Sequence, residues 1–432
     1  MIIIFICLLM HIFACSKLLV TEAIDRILAI SLVFFLGFWY ILPGALIEIF
    51  SYESLRNSLY FLDFEDYIFA YSLESVTVFA VIILVLHYAE RKALKQLPMK
   101  IPARLEYFMI VSFLLILVAG LLIGPSFNYL ESNSAELYST NSFGAQVLSI
   151  FNGLLLAGAI LLIGHSRHWT IPALLLFCLA GLSSSLAVLA GARIQLMTPI
   201  IILGYKYLRR MTLNFRTVCI IMVGIFFIFY FVIPISAFIG DIRQSGEIDF
   251  SFFNSDSSVV DGAALANMLF VKFDSFSAGV ALVRTDGIAS AGLKPYYGSA
   301  LLFIPRAVWP DRPVAGSVDG TIYGHPSRLV PAALFNTVSD SANVGVSPLH
   351  ITIWQFGYLG ILIFVFTGVL YVLFINRLLI SPYFEDKIVG VYLLGIPAFA
   401  VLIPSPDVML KQVVFALPLL FIFKLFRHIK FQ

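Results

Sequence analysis

Residues 351–374 read ITIWQFGYLGILIFVFTGVLYVLF, 24 positions without one charged side chain. A helix of about 20 such residues, rising 1.5 Å per residue, crosses the ~30 Å of hydrocarbon in a bilayer. Inside lipid a helix satisfies every backbone N–H and C=O within its own segment. The pattern recurs along the chain. Further apolar runs cover Ile2–Cys15, Leu28–Phe50, Tyr67–Leu86, Tyr107–Gly124, Ala145–Gly164, Ile171–Leu189, Ile194–Tyr207, Val218–Ile239, Ile388–Ile403 and Val413–Leu425. The first and seventh are short for a full crossing, which leaves them tilted, re-entrant or extended by their flanks. The pattern predicts an all-α polytopic integral membrane protein with about eleven transmembrane helices. Composition agrees: 60% of the 432 residues are hydrophobic and 12% charged, against about 25% charged in soluble domains.

Lysine and arginine in the short loops set the orientation. Basic loops hold Arg91, Lys92, Lys95, Lys100 and Arg104, then Arg167, then Lys206, Arg209, Arg210 and Arg216, and finally Lys424, Arg427 and Lys430. They alternate with acidic loops carrying Glu53, Asp63, Glu65 and Asp66, or Glu131 and Glu136. This predicts cytoplasmic basic loops, a cytoplasmic C-terminus and an external N-terminus. It divides the chain into an N-terminal bundle of about eight spans (1–239), a long external loop with interfacial helices (240–349) and about three C-terminal spans (350–432). The long loop carries aromatic residues throughout, and loops above about 15 residues usually carry function. It is the expected catalytic region.

Several chemistries are disfavoured. No phosphate-binding glycine loop, dinucleotide fingerprint or HExxH occurs, and the seven histidines are scattered. No metal or cofactor is expected. The net charge of +2 comes without a basic block able to track a phosphate backbone, so nucleic acid is not an expected partner. Cys7, Cys15, Cys178 and Cys219 lie in or beside apolar runs without metal spacing and read as small fillers. The opening MIIIFICLLMHIFACSK has the outline of a lipoprotein signal. It lacks a basic start and has Phe13 where a small residue is required, so a retained first span is expected.

Arginines gather on the predicted outer side: Arg193 between two short spans, Arg243 after the eighth run, Arg284 in the long loop, and Arg306 and Arg312 in IPRAVWPDRP. A guanidinium stays charged and donates two parallel hydrogen bonds to phosphate. The set points to a diphosphate or another anionic group. Snorkelling or local pairs, Arg312 with Asp311 and Arg243 with Asp241, fit the same residues, and the sequence leaves both roles open.

Three patches carry a resemblance. GSALLFIPRAVWPDRPVAGS, with Pro305-Arg306, Trp309-Pro310 and Arg312-Pro313, resembles the external-loop signature of bacterial oligosaccharide repeat-unit polymerases, the O-antigen polymerase (Wzy) family. AGARIQLM is similar to that family's small-residue–arginine turn. SPLHITIWQFGYLGILI resembles its helix entering the membrane just before Phe-Gly-x-x-Gly, here Phe356, Gly357 and Gly360. The chain departs from the third pattern where Pro348-Leu349-His350 stands in place of an acidic residue. Because O-antigen ligases also use a histidine near an external loop, His350 blurs polymerase and ligase.

The resemblance implies a GT-C-like membrane fold in a bacterial inner membrane. It implies a metal-independent glycosyltransferase joining polyprenyl-diphosphate-linked repeat units into surface polysaccharide, such as O-antigen or capsule. Its partners would be lipid-linked donor and acceptor glycans, the bilayer and a chain-length regulator protein. An acceptor hydroxyl attacks the donor's anomeric carbon and lipid diphosphate leaves. The reaction needs a base, for which Asp241, Asp274, Asp311 and His350 are candidates. It also needs fixed charge on the leaving group, supplied by Arg193, Arg243, Arg284, Arg306 and Arg312. Tyr296, Tyr297, Trp309 and Tyr323 offer faces for sugar rings or anchors at the interface. Losing one charge-assisted contact to a transition state costs about 2.7–4 kcal/mol. Arg306→Ala is therefore expected to slow polymerisation ~100- to 1000-fold, with Arg306→Lys intermediate, in a rate assay on protein of checked expression. A flippase or transporter would show repeated halves or broken midplane helices, and neither is clear. An acyltransferase would need a polar partner for His350, and none is obvious in the sequence.

Overall fold

In the computed structural model, the residues described are 1–55, 63–91, 105–123, 143–166, 168–189, 197–208, 276–286, 292–301, 346–394 and 403–429, with single positions between 304 and 329. The regular elements among them are all helices. Five are long and apolar enough to cross a membrane: Ile2–Val20, Arg26–Phe50, Phe64–Arg91, Leu359–Leu379 and Pro406–Leu425. The chain is thus a multi-pass membrane protein. The first apolar run is extended to full length by Ser16–Val20. The eighth run and the arginine turn at Arg193 lie outside the described residues.

Contacts divide the chain into two compact units: Met1–Gln96 with Val259–Ile380 and Ala400–Gln432, and Leu97–Ser258 with Ser381–Phe399. In the first unit, α1 (Ile2–Val20) packs against α2 (Arg26–Leu36), a π-helical turn (Gly37–Ile41) and α3 (Leu42–Phe50), which together form one span; the short α4 (Tyr52–Leu55) follows. Asp25 starts α2 as its cap, accepting from the Ile27 N–H at 2.9 Å. The α1–α2 turn is tied to a later helix by Asn376, whose Oδ1 accepts from the Asp25 N–H at 3.0 Å. α5 (Phe64–Arg91) packs on α1.

The second unit gathers α6 (Leu105–Ile123), α7 (Phe143–His165), α8 (Ile171–Leu189) and α9 (Met197–Leu208). Lipid tails are as apolar as leucine, so close packing and hydrogen bonds, rather than water exclusion, join such helices. A side chain at Gly164 would meet the Tyr205 ring at 2.3 Å, so α9 reaches α7 only over glycine. Lys206, which the sequence places in a cytoplasmic basic loop, is buried. Its Nζ donates to the Ile163 and Ser166 carbonyls at 3.2 and 3.0 Å and lies 4.6 Å from the Trp169 ring. It satisfies the carbonyl end of α7, where a cation also suits the helix dipole.

The first unit continues with α10 (Phe276–Asp286), α11 (Lys294–Ala300), α12 (Pro348–Phe356) and α13 (Leu359–Leu379). α14 (Phe384–Leu393) belongs to the second unit and packs on α7, and α15 (Pro406–Ile429) returns to the first. The charge-free run Ile351–Phe374 is divided. Its first part ends α12, and the span proper is α13. The break lies at Gly357, with φ 65° and ψ −155°, a conformation essentially reserved for glycine. Three residues on, a side chain at Gly360 would meet the Thr352 carbonyl oxygen at 2.3 Å. Phe-Gly-x-x-Gly therefore folds α12 tightly back against α13, and two glycines make that reversal possible.

Candidate functional site

The reversal sets α12 against α10 and α13, both of which also pack on α5. Ser347 caps α12, its Oγ accepting from the His350 N–H at 3.4 Å, and Pro348 occupies the first turn, where a missing N–H costs nothing. Trp354 seats on the small residues Ala278 and Ala281 of α10. One turn nearer the start of α12, the His350 ring lies against Gly279. A Cβ there would come within 2.5 Å of the imidazole.

His350 is buried and faces α5. Its Nδ1 lies 3.0 Å from Ser347 Oγ and 3.3 Å from Glu74 Oε2. Ser347 donates its own proton to Glu74 Oε2. The other carboxylate oxygen, Oε1, accepts from the Tyr40 hydroxyl at 3.0 Å. Tyr40 sits on the π-helical turn and is itself held, its carbonyl accepting from Tyr71 Oη at 2.5 Å. Phe276 closes the surroundings, edge-on to Tyr71 with ring centroids 5.2 Å apart, and His11 lies 4.8 Å from the Tyr40 ring.

This geometry fixes the tautomer of the neutral ring. Both neighbours of Nδ1 are acceptors: a carboxylate, and a hydroxyl whose proton is already given to that carboxylate. Nδ1 therefore carries the hydrogen, and Nε2 keeps the lone pair. Such a nitrogen takes a proton from a hydroxyl and returns it later, which is general base and acid chemistry. Ser347 is not set up as a nucleophile, because it donates to Glu74 and approaches the histidine at Nδ1, not at the basic nitrogen.

A second polar group ties the other end of α12. Gln355 Nε2 donates to Asp407 Oδ1 at 3.3 Å, and Tyr296 donates its hydroxyl to Gln355 Oε1 at 3.3 Å. Burial, with the Asp407 carboxylate adding, pushes the Tyr296 phenol well above its ordinary range, so it acts as a neutral donor. Its hydroxyl serves the protein, while its neighbour Tyr297 is exposed, as is Trp309.

Of the other residues singled out from sequence, Arg284 pairs with Asp66 near the start of α5. Asp66 and Glu74 are eight residues apart, roughly 12 Å along that helix, so Arg284 and His350 mark different levels of the fold. Asp311 is exposed and is not part of the His350 network. Asp241, Asp274, Arg193, Arg243, Arg306, Arg312 and Tyr323 lie outside the described residues. Glu74 is the residue that sequence reasoning passed over, and it supplies the polar partner His350 lacked there. A signal existed: it is the one charged residue in the run Tyr67–Leu86, and an ionisable group within a span is a functional candidate by default. Comparison with protein-family models, curated proteins and solved structures gives no match.

Proposed function

We propose that this chain is a membrane glycosyltransferase that joins polyprenyl-diphosphate-linked oligosaccharide units into surface polysaccharide, with His350 as the base that activates the acceptor hydroxyl. The observation that carries the reading is the basic Nε2 of His350, fixed by acceptors on Nδ1, at the head of the Phe-Gly-x-x-Gly reversal. The sequence patches at Arg193 and Arg306 supply the rest. In this scheme the acceptor hydroxyl gives its proton to Nε2 as oxygen bonds to the donor's anomeric carbon. The bond from that carbon to lipid diphosphate breaks, and arginines stabilise the departing charge. The diphosphate linkage supplies the energy. The reaction takes place at the outer face of a bacterial inner membrane, with the C-terminus cytoplasmic, as the alternation of basic and acidic loops supports.

The same base serves transfer of an acyl group to a hydroxyl, and the Glu74 partner favours that as the second reading. The test is a strain lacking this chain. Its surface glycan is expected to carry single repeat units with the acyl pattern of the parent. Full-length chains that have lost acyl groups would establish acyl transfer. Free polymer left on lipid would establish a ligase, and lipid-linked single units trapped inside the cell a flippase.

A further inference from the structure

Glu74 uses its two oxygens differently. Oε2 faces Ser347 and His350, while Oε1 is taken by Tyr40. Glu74, Ser347 and Tyr40 are all buried, and Gly279 lies against Cβ, Cγ and Nδ1 of His350. Tyr40 stands on the single π-helical turn among the described residues, a departure from regular winding that often accompanies function. The Tyr71 hydroxyl holds that turn through the Tyr40 carbonyl.

We propose that Glu74 is the positioning residue of this site, holding His350 in the tautomer with a basic Nε2, and that Tyr40 fixes which face of Glu74 the histidine meets. The inference rests on the functional reading above and adds what makes its base competent. It has a consequence that a mere clamp between helices lacks. Glutamine has the shape of glutamate but one face that only donates. In Glu74→Gln the Tyr40 hydroxyl, which donates to Oε1 in the parent, keeps its proton satisfied by claiming the amide oxygen, whereas accepting from the amide NH2 would take that acceptor away. The amide NH2 is then turned towards Ser347 and His350. It donates either to Nδ1 directly or to Ser347 Oγ, whose freed proton passes to Nδ1. By both routes Nδ1 becomes an acceptor, the hydrogen moves to Nε2, and the base is lost while the packing is kept. Removing the Tyr40 hydroxyl as well frees the amide to turn over and present its oxygen to His350.

The experiment uses the full chain in detergent with 15N-labelled histidine rings. The His350 resonances are assigned by their loss in His350→Gln. The tautomer and the kinetics are read in the parent, Glu74→Gln and Glu74→Gln/Tyr40→Phe. Expected are a protonated Nδ1 in the parent, a protonated Nε2 in Glu74→Gln, and partial return of the parent form in the double variant. kcat should fall roughly 10⁴-fold in Glu74→Gln with KM little changed, by analogy with amide replacement of a carboxylate that orients a catalytic histidine, and should partly recover in the double variant. A parent protonated at Nε2, or a His350 tautomer unmoved by Glu74→Gln, overturns the inference. A tautomer that switches as expected in protein that transfers no glycan leaves the positioning role standing and removes the glycosyltransferase reading instead.

Discussion

His350→Ala is expected to reduce chain extension by roughly 10⁴-fold, the upper range for loss of a general acid–base group, with chains failing to grow past one or a few units. The imidazole is the group whose basic nitrogen is fixed by the fold, and alanine offers nothing in its place. The deletion also empties the space over Gly279, so stability must be checked beside activity. His350→Gln keeps most of the volume and can still donate towards Glu74, but it lacks a basic nitrogen. Both variants are expected to lose activity, with His350→Gln folding as the parent does. Rates are read as the length distribution of product on lipid against time. Chain extension at the parent rate in His350→Gln would remove His350 from the chemistry.

The second large effect is on stability, at Gly360. A Cβ there would stand 2.3 Å from the Thr352 carbonyl oxygen and 2.7 Å from its carbon. These are backbone atoms of α12, so no side chain can swing away. Either α12 and α13 separate or the reversal at Gly357 opens. Overpacking of this kind costs about 3 kcal/mol, and Gly360→Ala is expected to lower stability by that amount in denaturant unfolding of detergent-solubilised protein. Gly204 is the comparison. A Cβ there meets nothing within 4 Å, and alanine is a better helix former than glycine by about 1 kcal/mol, so Gly204→Ala should be neutral or slightly stabilising. The effect should reach activity too, because the reversal places His350.

Most helices were legible because a bilayer imposes length and polarity directly. The run Ile171–Leu189 coincides with α8, and Leu28–Phe50 differs from its span by two residues at one end. The division of Ile351–Phe374 into α12 and α13 was not legible from hydropathy, since both halves are apolar. Its cause is backbone geometry at Gly357 and Gly360, and the glycine pattern was visible while its role was not. The π-helical turn at Gly37–Ile41 follows no composition rule, so the placement of Tyr40 could not be read in advance. The site was half legible. His350 stood out as a histidine beside a span, whereas its carboxylate lies far off in the chain, Ser347 and Glu74 being 273 positions apart. Pairing over such a distance is settled by how helices pack, which a single sequence does not state. Arg284 shows the converse. Its charge suggested an anionic ligand, and the fold gives it the acidic side chain of Asp66.

The most direct test of the account is chain extension by the purified protein. The full chain is reconstituted in vesicles with a polyprenyl-diphosphate-linked repeat unit as its sole glycan and no nucleotide or divalent metal added. The account predicts a ladder of lengthening glycans that stay on lipid, release of polyprenyl diphosphate in step with each bond formed, and no ladder from His350→Gln. Folded parent protein that leaves the repeat unit unextended, or that extends it equally well with glutamine at position 350, would contradict it.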